Sequence, residues 1–394
     1  MSERTISLSL RVLSLCFFAL GTASLSVVGA LQSISSALGL SQSQIAMLVP
    51  AFAVTFALGA PAIQLFAGHL KRRSQLLMGL GLMAAGAVGC AVAPSYALLI
   101  AARVLTGLGA AVVSPTISAL GTSLVPVERQ GHALAVVFMG MTMASVLGVP
   151  LSSWCAAMLG WRAMFGAIAV LAIVAARLAA MLIRDQSRAQ PIRIHDIGAV
   201  LGNARTLGVL LITVLAMAAL FTTYTMITPI LRDEFGAGSQ AITWALLIYG
   251  VAGVAGNQLA RYVSLRWPAE QAVGAALLLL IIGFAVIRFA PPWFAMAILG
   301  LIPWAVAVDV LLPSQQRRIV ELMPHLRGLV LALNSSALFV GMAVGGTMAS
   351  HVTALWGLKA LPGVSIGLAA FAWVALQATK GGLGQDIAQR RVFS

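Results

Sequence analysis

The stretch GMTMASVLGVP, residues 140–150, places two glycines and a proline inside a long apolar segment. In a helix interior, glycine costs about 1 kcal/mol relative to alanine and proline about 3 kcal/mol. In lipid, however, glycines let a neighbouring helix approach closely, and a proline frees a carbonyl one turn back and bends the helix. We therefore predict that this segment is a bent membrane-spanning helix packed tightly against a neighbour.

The composition of the whole chain supports a membrane location. Of the 394 residues, 60% are hydrophobic and only 9% are charged, whereas about 25% of the residues in soluble domains are charged. The three cysteines are scattered singly, without the spacing of a metal site or a disulfide framework. The net charge of +14 is not gathered in a polar domain, which argues against nucleic acid as a partner.

Twelve apolar segments are each long enough to cross a hydrocarbon core of about 30 Å as a helix. Helices are predicted because lipid offers no hydrogen-bond partners to the backbone. The predicted spans, numbered 1 to 12, cover residues 12–30, 45–65, 76–93, 96–120, 133–151, 161–183, 207–230, 242–262, 272–289, 293–312, 329–352 and 361–378. The fold class predicted is an all-α, multi-pass membrane protein.

The longest polar connection between spans divides the chain into six helices plus six. The stretches that open spans 5 and 11, VPVERQGHALA and MPHLRGLVLAL, also echo each other, as expected for a duplicated six-helix unit. Two parallel repeats that face each other across a central path are typical of transporters. The predicted parts are an N-terminal six-helix bundle (1–183), a cytoplasmic linker (184–206) and a C-terminal six-helix bundle (207–394).

The distribution of Lys and Arg predicts the orientation in the membrane. Eighteen of the 24 basic residues fall on the side of the spans that carries both termini, and four fall on the other side. The remaining two, Arg103 and Arg177, lie within spans. Because cytoplasmic loops carry an excess of Lys and Arg, we expect both termini in the cytoplasm.

The opening stretch continues as GMTMASVLGVPLSSWCAAMLGWRAMF, residues 140–165. It resembles the helix 5 antiporter signature of the major facilitator superfamily, in which spaced glycines precede Gly-x-Pro and Gly-Trp-Arg begins the next helix. Gly140, Gly148 and Pro150 match that pattern, and Ser152 stands where the family often has another glycine. The resemblance covers nearly the whole chain. It implies two six-helix pseudo-repeats and a place in the bacterial drug, sugar and nucleoside efflux branch of proton antiporters.

The stretch RVLTGLGAA, residues 103–111, resembles the family's Arg-x-x-x-Gly-x-Gly signature in helix 4, with Gly107 at its first glycine. The resemblance implies that Arg103 takes part in proton coupling. An arginine inside a span costs on the order of 2.5–3.5 kcal/mol on insertion scales, so it should face a polar path or a partner. The alternative is that Arg103 snorkels to the outer interface, because it lies seven residues beyond Tyr96.

The stretch GHLKRRSQLLMG, residues 68–79, resembles the family's conformational-gate loop between helices 2 and 3. It keeps Gly68 and the pair Arg72 and Arg73, but it lacks the family's acidic residue and central glycine. In the family that acid helps to stabilise one conformational state by a charge interaction near helix 11. This chain lacks the acid for that interaction. The excess of positive charge expected in cytoplasmic loops explains the basic run equally well.

Three stretches of the second half, YTMITPILRDEFG, YGVAGVAGNQLARY and LALNSSALFVGMAVGG, resemble helices 7, 8 and 11 of arabinose-type sugar efflux permeases. Two asparagines in them, Asn257 and Asn334, are polar residues within or near spans. Each is able to contact a substrate or to hydrogen-bond a neighbouring helix, and the second role is the commoner one in membranes.

Proton coupling needs a carboxyl group inside the membrane, and among the ten acidic residues only Asp309 lies within a span. Many relatives carry an acid in helix 1, but here Thr22, Ala23, Ser24 and Leu25 occupy that place. A carboxyl within the membrane is by default a functional candidate. Two roles stay open for Asp309: a proton relay, or a structural ion pair with an arginine on the inner side such as Arg317 or Arg318.

These features predict a secondary transporter of the bacterial inner membrane that exports a small organic solute, such as a drug, sugar or nucleoside, by proton antiport. The alternative is an uncoupled facilitator or an importer of the same fold. No phosphate-binding Gly-x-x-x-x-Gly-Lys-Ser/Thr motif is present, so direct use of ATP is not expected. The expected partners are the solute, protons and the lipid bilayer, with the chain as a monomer and no metal, cofactor or enzymatic activity.

The resemblance also implies that spans 1, 4, 7 and 10 line the central path. Aromatic side chains there are suited to contact a ring of the solute, although they serve equally well as anchors at the membrane interface. The candidates on the path are Gln32, Arg103, Tyr224, Trp304, Asp309 and Asn334.

Overall fold

The computed structural model describes residues 3–66, 70–126, 129–183, 198, 200, 202–323 and 327–379. Within them, 12 helices are long and apolar enough to cross a membrane, which confirms the predicted number. They are α1 (Glu3–Leu38), α2 (Gln42–Ala46 and Leu48–Phe66), α3 (Arg72–Val92), α4 (Tyr96–Ser123), α5 (Gln130–Met158), α6 (Trp161–Leu182), α7 (Ala204–Tyr224), α8 (Ser239–Arg266), α9 (Ala269–Phe289), α10 (Phe294–Leu322), α11 (Arg327–Trp356) and α12 (Ala360–Thr379).

Several helices begin at a residue whose side chain satisfies free backbone N–H groups. Ser41 forms a capping box with Gln44 at the start of α2. Asn203 accepts hydrogen bonds from the N–H groups of Arg205 and Thr206 at the start of α7. These local signals place the helix starts, while apolar length sets how far the helices run. Helix α1 has 36 residues and is far longer than its predicted span, so its ends extend beyond the hydrocarbon core.

Helix α5 is interrupted within the stretch GMTMASVLGVP, residues 140–150. It consists of an α-helical part to Met143, a π-helical turn over Ala144–Gly148, and a second α-helical part from Val149. The π turn directly precedes Pro150, which has no N–H to donate to the carbonyl one turn back. Single π turns of this kind are a recognised cause of helix bending.

The glycines of the same stretch bring α5 to backbone distance from α1. A Cβ atom added at Gly140 would overlap the carbonyl oxygen of Ser14, and one added at Gly148 would overlap the hydroxyl of Thr22. In the reverse direction, a Cβ at Gly21 of α1 would lie 2.6 Å from the Cβ of Ala144. The tight packing predicted for this helix is therefore made with α1, in its own half of the chain.

The helices pack as two sets of six. In the first half α3 packs on α4 and α6, α2 on α4, and α1 on α5 and α6; in the second half α7 packs on α11 and α12, and α10 on α8 and α9. The proposed boundaries at 183/184 and 206/207 stay a prediction, since residues 184–197, 199 and 201 lie outside the described part of the chain.

The two halves meet at the end of the bundle opposite the termini. We call the end that carries Glu3 and Thr379 the terminal end, and the opposite end the far end. Of the hydrogen bonds between described residues, two join the halves. Thr228 donates to the carbonyl of Val28 (2.9 Å), and Ser350 donates to the carbonyl of Ser43 (2.7 Å). Both lie at the far end.

Glycine contacts extend this junction toward the middle of the bundle. A Cβ at Gly346 of α11 would lie 2.8 Å from Pro50 of α2, and one at Gly250 of α8 would lie 2.5 Å from the Cα of Val146 in the π turn of α5. We call these four pairs, Val28–Thr228, Ser43–Ser350, Pro50–Gly346 and Val146–Gly250, the far-end seal. Beyond them toward the terminal end, Phe56 stacks on Phe339 with ring centroids 3.6 Å apart.

Replacing Gly140 by alanine should destabilise the protein, because the new methyl group would collide with the Ser14 carbonyl. We expect a cost of roughly 1–3 kcal/mol, the usual range for overpacking, seen as a lower midpoint of thermal unfolding in detergent. Gly166→Ala is the matched control, because a Cβ at Gly166 in α6 meets nothing within 4 Å. That variant should be unchanged or more stable by up to about 1 kcal/mol. Equal effects of the two changes would contradict this account.

Candidate functional site

Arg103 of α4 is buried, with 1% of its surface exposed. The partners of its guanidinium group are three backbone carbonyls and an aromatic ring. Nη1 donates to the carbonyl of Ala23 (2.7 Å) and Nη2 to that of Ser24 (3.3 Å), both in α1. Nε donates to the carbonyl of Leu48 in α2 (3.3 Å), and the guanidinium carbon lies 4.7 Å from the centroid of the Phe52 ring. A single side chain therefore ties three helices together.

This arrangement excludes one of the two roles considered for Arg103, and its part in proton coupling stays a prediction. Snorkelling to the interface is wrong, because the guanidinium points into the first half and is not exposed. Ala23 and Ser24 lie in the stretch of α1 where the family resemblance led us to expect an acid, and their carbonyls accept hydrogen bonds from Arg103. These acceptors could not be predicted, because a backbone carbonyl leaves no mark in the sequence.

The glycines that follow Arg103 hold α4 close to two neighbours. A Cβ at Gly107 would lie 2.7 Å from the carbonyl oxygen of Phe52 in α2, and one at Gly109 would lie 2.6 Å from the carbonyl oxygen of Gly79 in α3. The spacing of the signature thus sets the distances at which Arg103 meets its acceptors.

Asp309 lies in the middle of α10, against two glycines of α8. A Cβ at Gly253 would lie 2.5 Å from Oδ2 of Asp309, and one at Gly256 would lie 3.1 Å from the Cβ of Asp309. The two glycines therefore make room for the carboxyl group. They were missed in the sequence analysis, although their spacing of three residues in YGVAGVAGNQLARY places them on one face of a helix.

The carboxyl group of Asp309 takes part in none of the ion pairs or hydrogen bonds seen among the described residues. Pairing of Asp309 with Arg317 or Arg318 is wrong, because both arginines have other partners. Arg317 pairs with Glu321 (2.7 Å) and donates to the carbonyl of Ser264. Arg318 pairs with Glu270 (3.3 Å) and donates to the hydroxyl of Thr379. Asp309 is thus a half-buried carboxyl group within a span, and it has no cationic partner among the described residues.

An aromatic cluster lies beside Asp309, on its far-end side. Tyr224 of α7 and Trp304 of α10 were predicted, and their ring centroids are 6.0 Å apart. The structure adds Tyr249 of α8, at 5.3 Å from Tyr224 and 5.6 Å from Trp304. Trp304 is completely buried, and its Nε1 group has no hydrogen-bond partner in the described chain. Tyr249 precedes Gly253 by four residues, so it shares the face of α8 that meets Asp309.

Asn334 is an interhelical contact in the second half. Its Oδ1 accepts a hydrogen bond from Thr213 of α7 (2.8 Å), and it is 2% exposed. Gln315 of α10 completes the group by donating to the carbonyl of Val209 (2.7 Å). These bonds join α7, α10 and α11, which is the commoner of the two roles expected for Asn334.

Two other predicted polar residues lie away from this group. Gln32 is exposed near the far end of α1, where it donates to Ser36 (3.1 Å) and accepts from Gln42 (2.9 Å). Asn257 is exposed on α8. The geometry therefore supports Tyr224, Trp304 and Asp309 as neighbours, and it does not bring Gln32 to them.

The basic pair of the gate-like loop binds helix ends in its own half. Arg72 donates to the carbonyl of Ala119 near the end of α4 (3.4 Å), and Arg73 donates to the carbonyl of Ala180 near the end of α6 (2.6 Å). Cations at helix C-termini satisfy free carbonyls and interact favourably with the helix dipole. The pair thus does more than bias the orientation in the membrane. Gly68 lies outside the described residues.

Changing Arg103 to lysine should destabilise the first half, because one ammonium group cannot reproduce the fork that reaches Ala23, Ser24 and Leu48. We expect a lower midpoint of thermal unfolding, corresponding to roughly 1.5–3 kcal/mol, the worth of a charged hydrogen bond. Arg177→Lys, at an exposed arginine of α6, is the matched control and should leave the midpoint unchanged. An unaltered midpoint for Arg103→Lys would show that the carbonyl contacts contribute little.

Comparison with known proteins shows which family has this architecture. The family model described as Major Facilitator Superfamily matches residues 12–204 and 209–383. The inner membrane transport protein YdhP of Escherichia coli (strain K12) is 32% identical over 348 residues, which cover 88% of this chain and 89% of that protein. A chloramphenicol resistance protein of Streptomyces lividans is 35% identical over 282 residues, which cover 70% of this chain and 71% of that protein.

A solved structure of a D-xylose-proton symporter has the same fold, with a TM-score of 0.75 at 16% identity, and the match covers 95% of this chain and 98% of that one. The family model, the relatives and the twelve-helix architecture agree with the family resemblance that the motifs of α4 and α5 indicate. The chain belongs to the Major Facilitator Superfamily of membrane transporters.

Proposed function

We propose that the protein is a secondary active exporter of the inner membrane that exchanges a small organic solute, such as a drug, sugar or nucleoside, for protons. Similarity to an inner membrane transport protein and to a chloramphenicol resistance protein supports export across that membrane. The observation that carries proton exchange is Asp309, a carboxyl group within a span that lies next to the ring cluster of Tyr224, Tyr249 and Trp304. It has no cationic partner in the part of the chain that the structure describes.

The proposed orientation has both termini in the cytoplasm, which is supported by the excess of Lys and Arg at the terminal end. In that orientation the far-end seal closes the side away from the cytoplasm. Both hydrogen bonds that join the halves among the described residues lie on that side. They support a proposed conformation that opens toward the cytoplasm, in which an exporter takes up its solute.

Proton exchange at Asp309 follows from its surroundings. A charged carboxylate is costly in a membrane interior unless it is paired or hydrated. Against the bare face made by Gly253 and Gly256, the protonated form needs no cation, so proton binding favours the packed arrangement of α8 and α10. Proton loss favours an arrangement that admits water or a polar group of the solute. The equilibrium between these arrangements would link the proton to transport.

Arg103 is the second candidate for coupling. A guanidinium group does not lose its proton in proteins, so Arg103 would act by holding α1 against α2 and α4. The aromatic rings of Tyr224 and Trp304 are suited to stack on a ring of the solute and to exclude water from it.

An uncoupled facilitator or an importer is the second candidate function. The observation that favours it lies in helix 1, where Thr22 to Leu25 replace the acid of many relatives and where the carbonyls of Ala23 and Ser24 already satisfy Arg103. Flux measured with and without a pH gradient separates the two functions.

Purified protein should first be screened by competitive thermal shift against sugars, nucleosides and neutral drugs, with chloramphenicol included. A solute that raises the unfolding midpoint is then tested for uptake into proteoliposomes. A proton-coupled exporter accumulates it when the liposome interior is acidic. A facilitator only equilibrates it, with or without the gradient.

Replacing Asp309 by asparagine should abolish coupling while it preserves binding, because the amide has the same size but cannot gain or lose a proton. We expect accumulation driven by the pH gradient to fall to the level measured without a gradient. Exchange of labelled for unlabelled solute at equal pH should continue at a rate close to that of the wild type.

Asp233→Asn is the matched control for this experiment. Asp233 lies at the far end and pairs with Arg232 (2.7 Å), away from the ring cluster, so its replacement should leave gradient-driven accumulation intact. If Asp309→Asn accumulates solute as the wild type does, Asp309 is not the proton relay.

A further inference from the structure

One arginine of the first half lies on an exposed apolar stripe of α6. Arg177 is exposed and lies five residues before the end of this membrane-spanning helix at Leu182, which is about 7.5 Å at 1.5 Å per residue. Val174 and Met181, three residues before it and four after it, lie on the same stripe and are 44% and 71% exposed. The surface on both sides of Arg177 is therefore apolar and faces the lipid.

The protein offers this charge no partner within the described residues. Arg177 takes part in none of the hydrogen bonds or ion pairs seen there. In the described part of the first half Glu3 is the only acidic residue, and it pairs with Arg129 (3.1 Å). An unpaired charge in hydrocarbon is costly, and a long side chain lowers that cost by extending to the headgroups of the lipids. The headgroups nearest to Arg177 are those at the terminal end.

More positive groups lie where α3 meets the terminal end of α6. Arg73 of α3 donates to the carbonyl of Ala180 (2.6 Å), which is three residues from Arg177, so both arginines lie at the terminal end of the α3–α6 contact. Lys71 is the exposed N-cap residue of α3, and no side chain caps the first turn of that helix. Its first N–H groups therefore add the positive end of a helix dipole. We call Lys71, Arg73, Arg177 and the first turn of α3 the α3–α6 basic site.

We propose that the α3–α6 basic site binds the headgroup of an anionic phospholipid, such as phosphatidylglycerol, from the leaflet at the terminal end. The phosphate would pair with Arg177 and Lys71, and the acyl chains would lie along Val174 of α6 and Met78 of α3, which is 43% exposed. Basic residues close to a membrane attract anionic lipids, and a helix N-terminus favours a phosphate. The site lies on the outer surface of the first half, so it does not rest on the proposed transport.

The test counts individual lipids bound to the full-length protein in detergent by native mass spectrometry. The probes are phosphatidylglycerol, which is anionic, and phosphatidylcholine with the same acyl chains, which has no net charge. We expect the first phosphatidylglycerol to bind with the lower dissociation constant. Arg177→Gln should raise that constant roughly fivefold, the effect of one basic residue near an anionic surface. Arg177→Lys should raise it less, because the charge is kept.

Arg261→Gln is the matched control. Arg261 is an exposed arginine near the terminal end of α8, so its replacement removes the same charge from the other half of the protein. It should leave the dissociation constant of the first phosphatidylglycerol unchanged. Arg177→Gln should also keep the unfolding midpoint of the wild type in lipid-free detergent, because Arg177 bonds to none of the described residues. Weaker lipid binding by that variant would then not result from unfolding.

Three results would overturn the proposal. Equal weakening by Arg177→Gln and Arg261→Gln would mean that anionic lipids are attracted to the whole basic end of the protein and not to this site. Equal affinity for the two lipids would mean that the charge of the headgroup is not recognised. Displacement of phosphatidylglycerol by an equal concentration of inorganic phosphate would identify a site for a free anion. Because the binding needs no pH gradient, a failure of proton-driven transport leaves its outcome unaffected.

Discussion

Close approach of helix backbones at glycine is the constraint on which the rest of this structure depends. In lipid, apolar side chains gain little by leaving their surroundings, so helices associate through tight packing. Gly140 and Gly148 place α5 directly on α1, and Gly107 places α4 on α2. Arg103 reaches the carbonyls of α1 and α2 only because these helices are so close. The unfavourable helix propensity of glycine is thus offset by contacts that a side chain would prevent.

Helix α8 uses the same device for two purposes. Gly250 meets the π turn of α5 across the two halves, whereas Gly253 and Gly256 meet Asp309 of α10 within the second half. One pair of the far-end seal, Val146–Gly250, and the contact with Asp309 therefore both involve α8, within two turns of each other. A shift of α8 that opens the seal would also change the surroundings of Asp309. This shared helix is a physical route by which protonation and conformation are linked in the proposed exchange.

The polar groups of the membrane interior are satisfied unevenly. The guanidinium of Arg103, the hydroxyl of Thr213, the Oδ1 atom of Asn334 and the Nε2 group of Gln315 have partners, as expected where water is absent. Asp309, the Trp304 indole and the Thr22 hydroxyl have none in the described structure. Groups of the first kind hold helices together. Two groups of the second kind, Asp309 and the Trp304 indole, lie at the ring cluster, where a proton or the proposed solute can be their partner.

The sequence by itself determined the membrane class, the twelve helices and the family, and it supplied Arg103, Asp309 and the α5 glycines as candidates. Apolar length and residue spacing are local properties, so they can be recognised in one chain. Only the tertiary structure decided four features: the acceptors of Arg103, the glycines opposite Asp309, the place of Tyr249 in the ring cluster, and the lack of a partner for the Thr22 hydroxyl among the described residues. Each depends on which helix lies opposite and at what distance, and backbone carbonyls or missing side chains supply much of the contact.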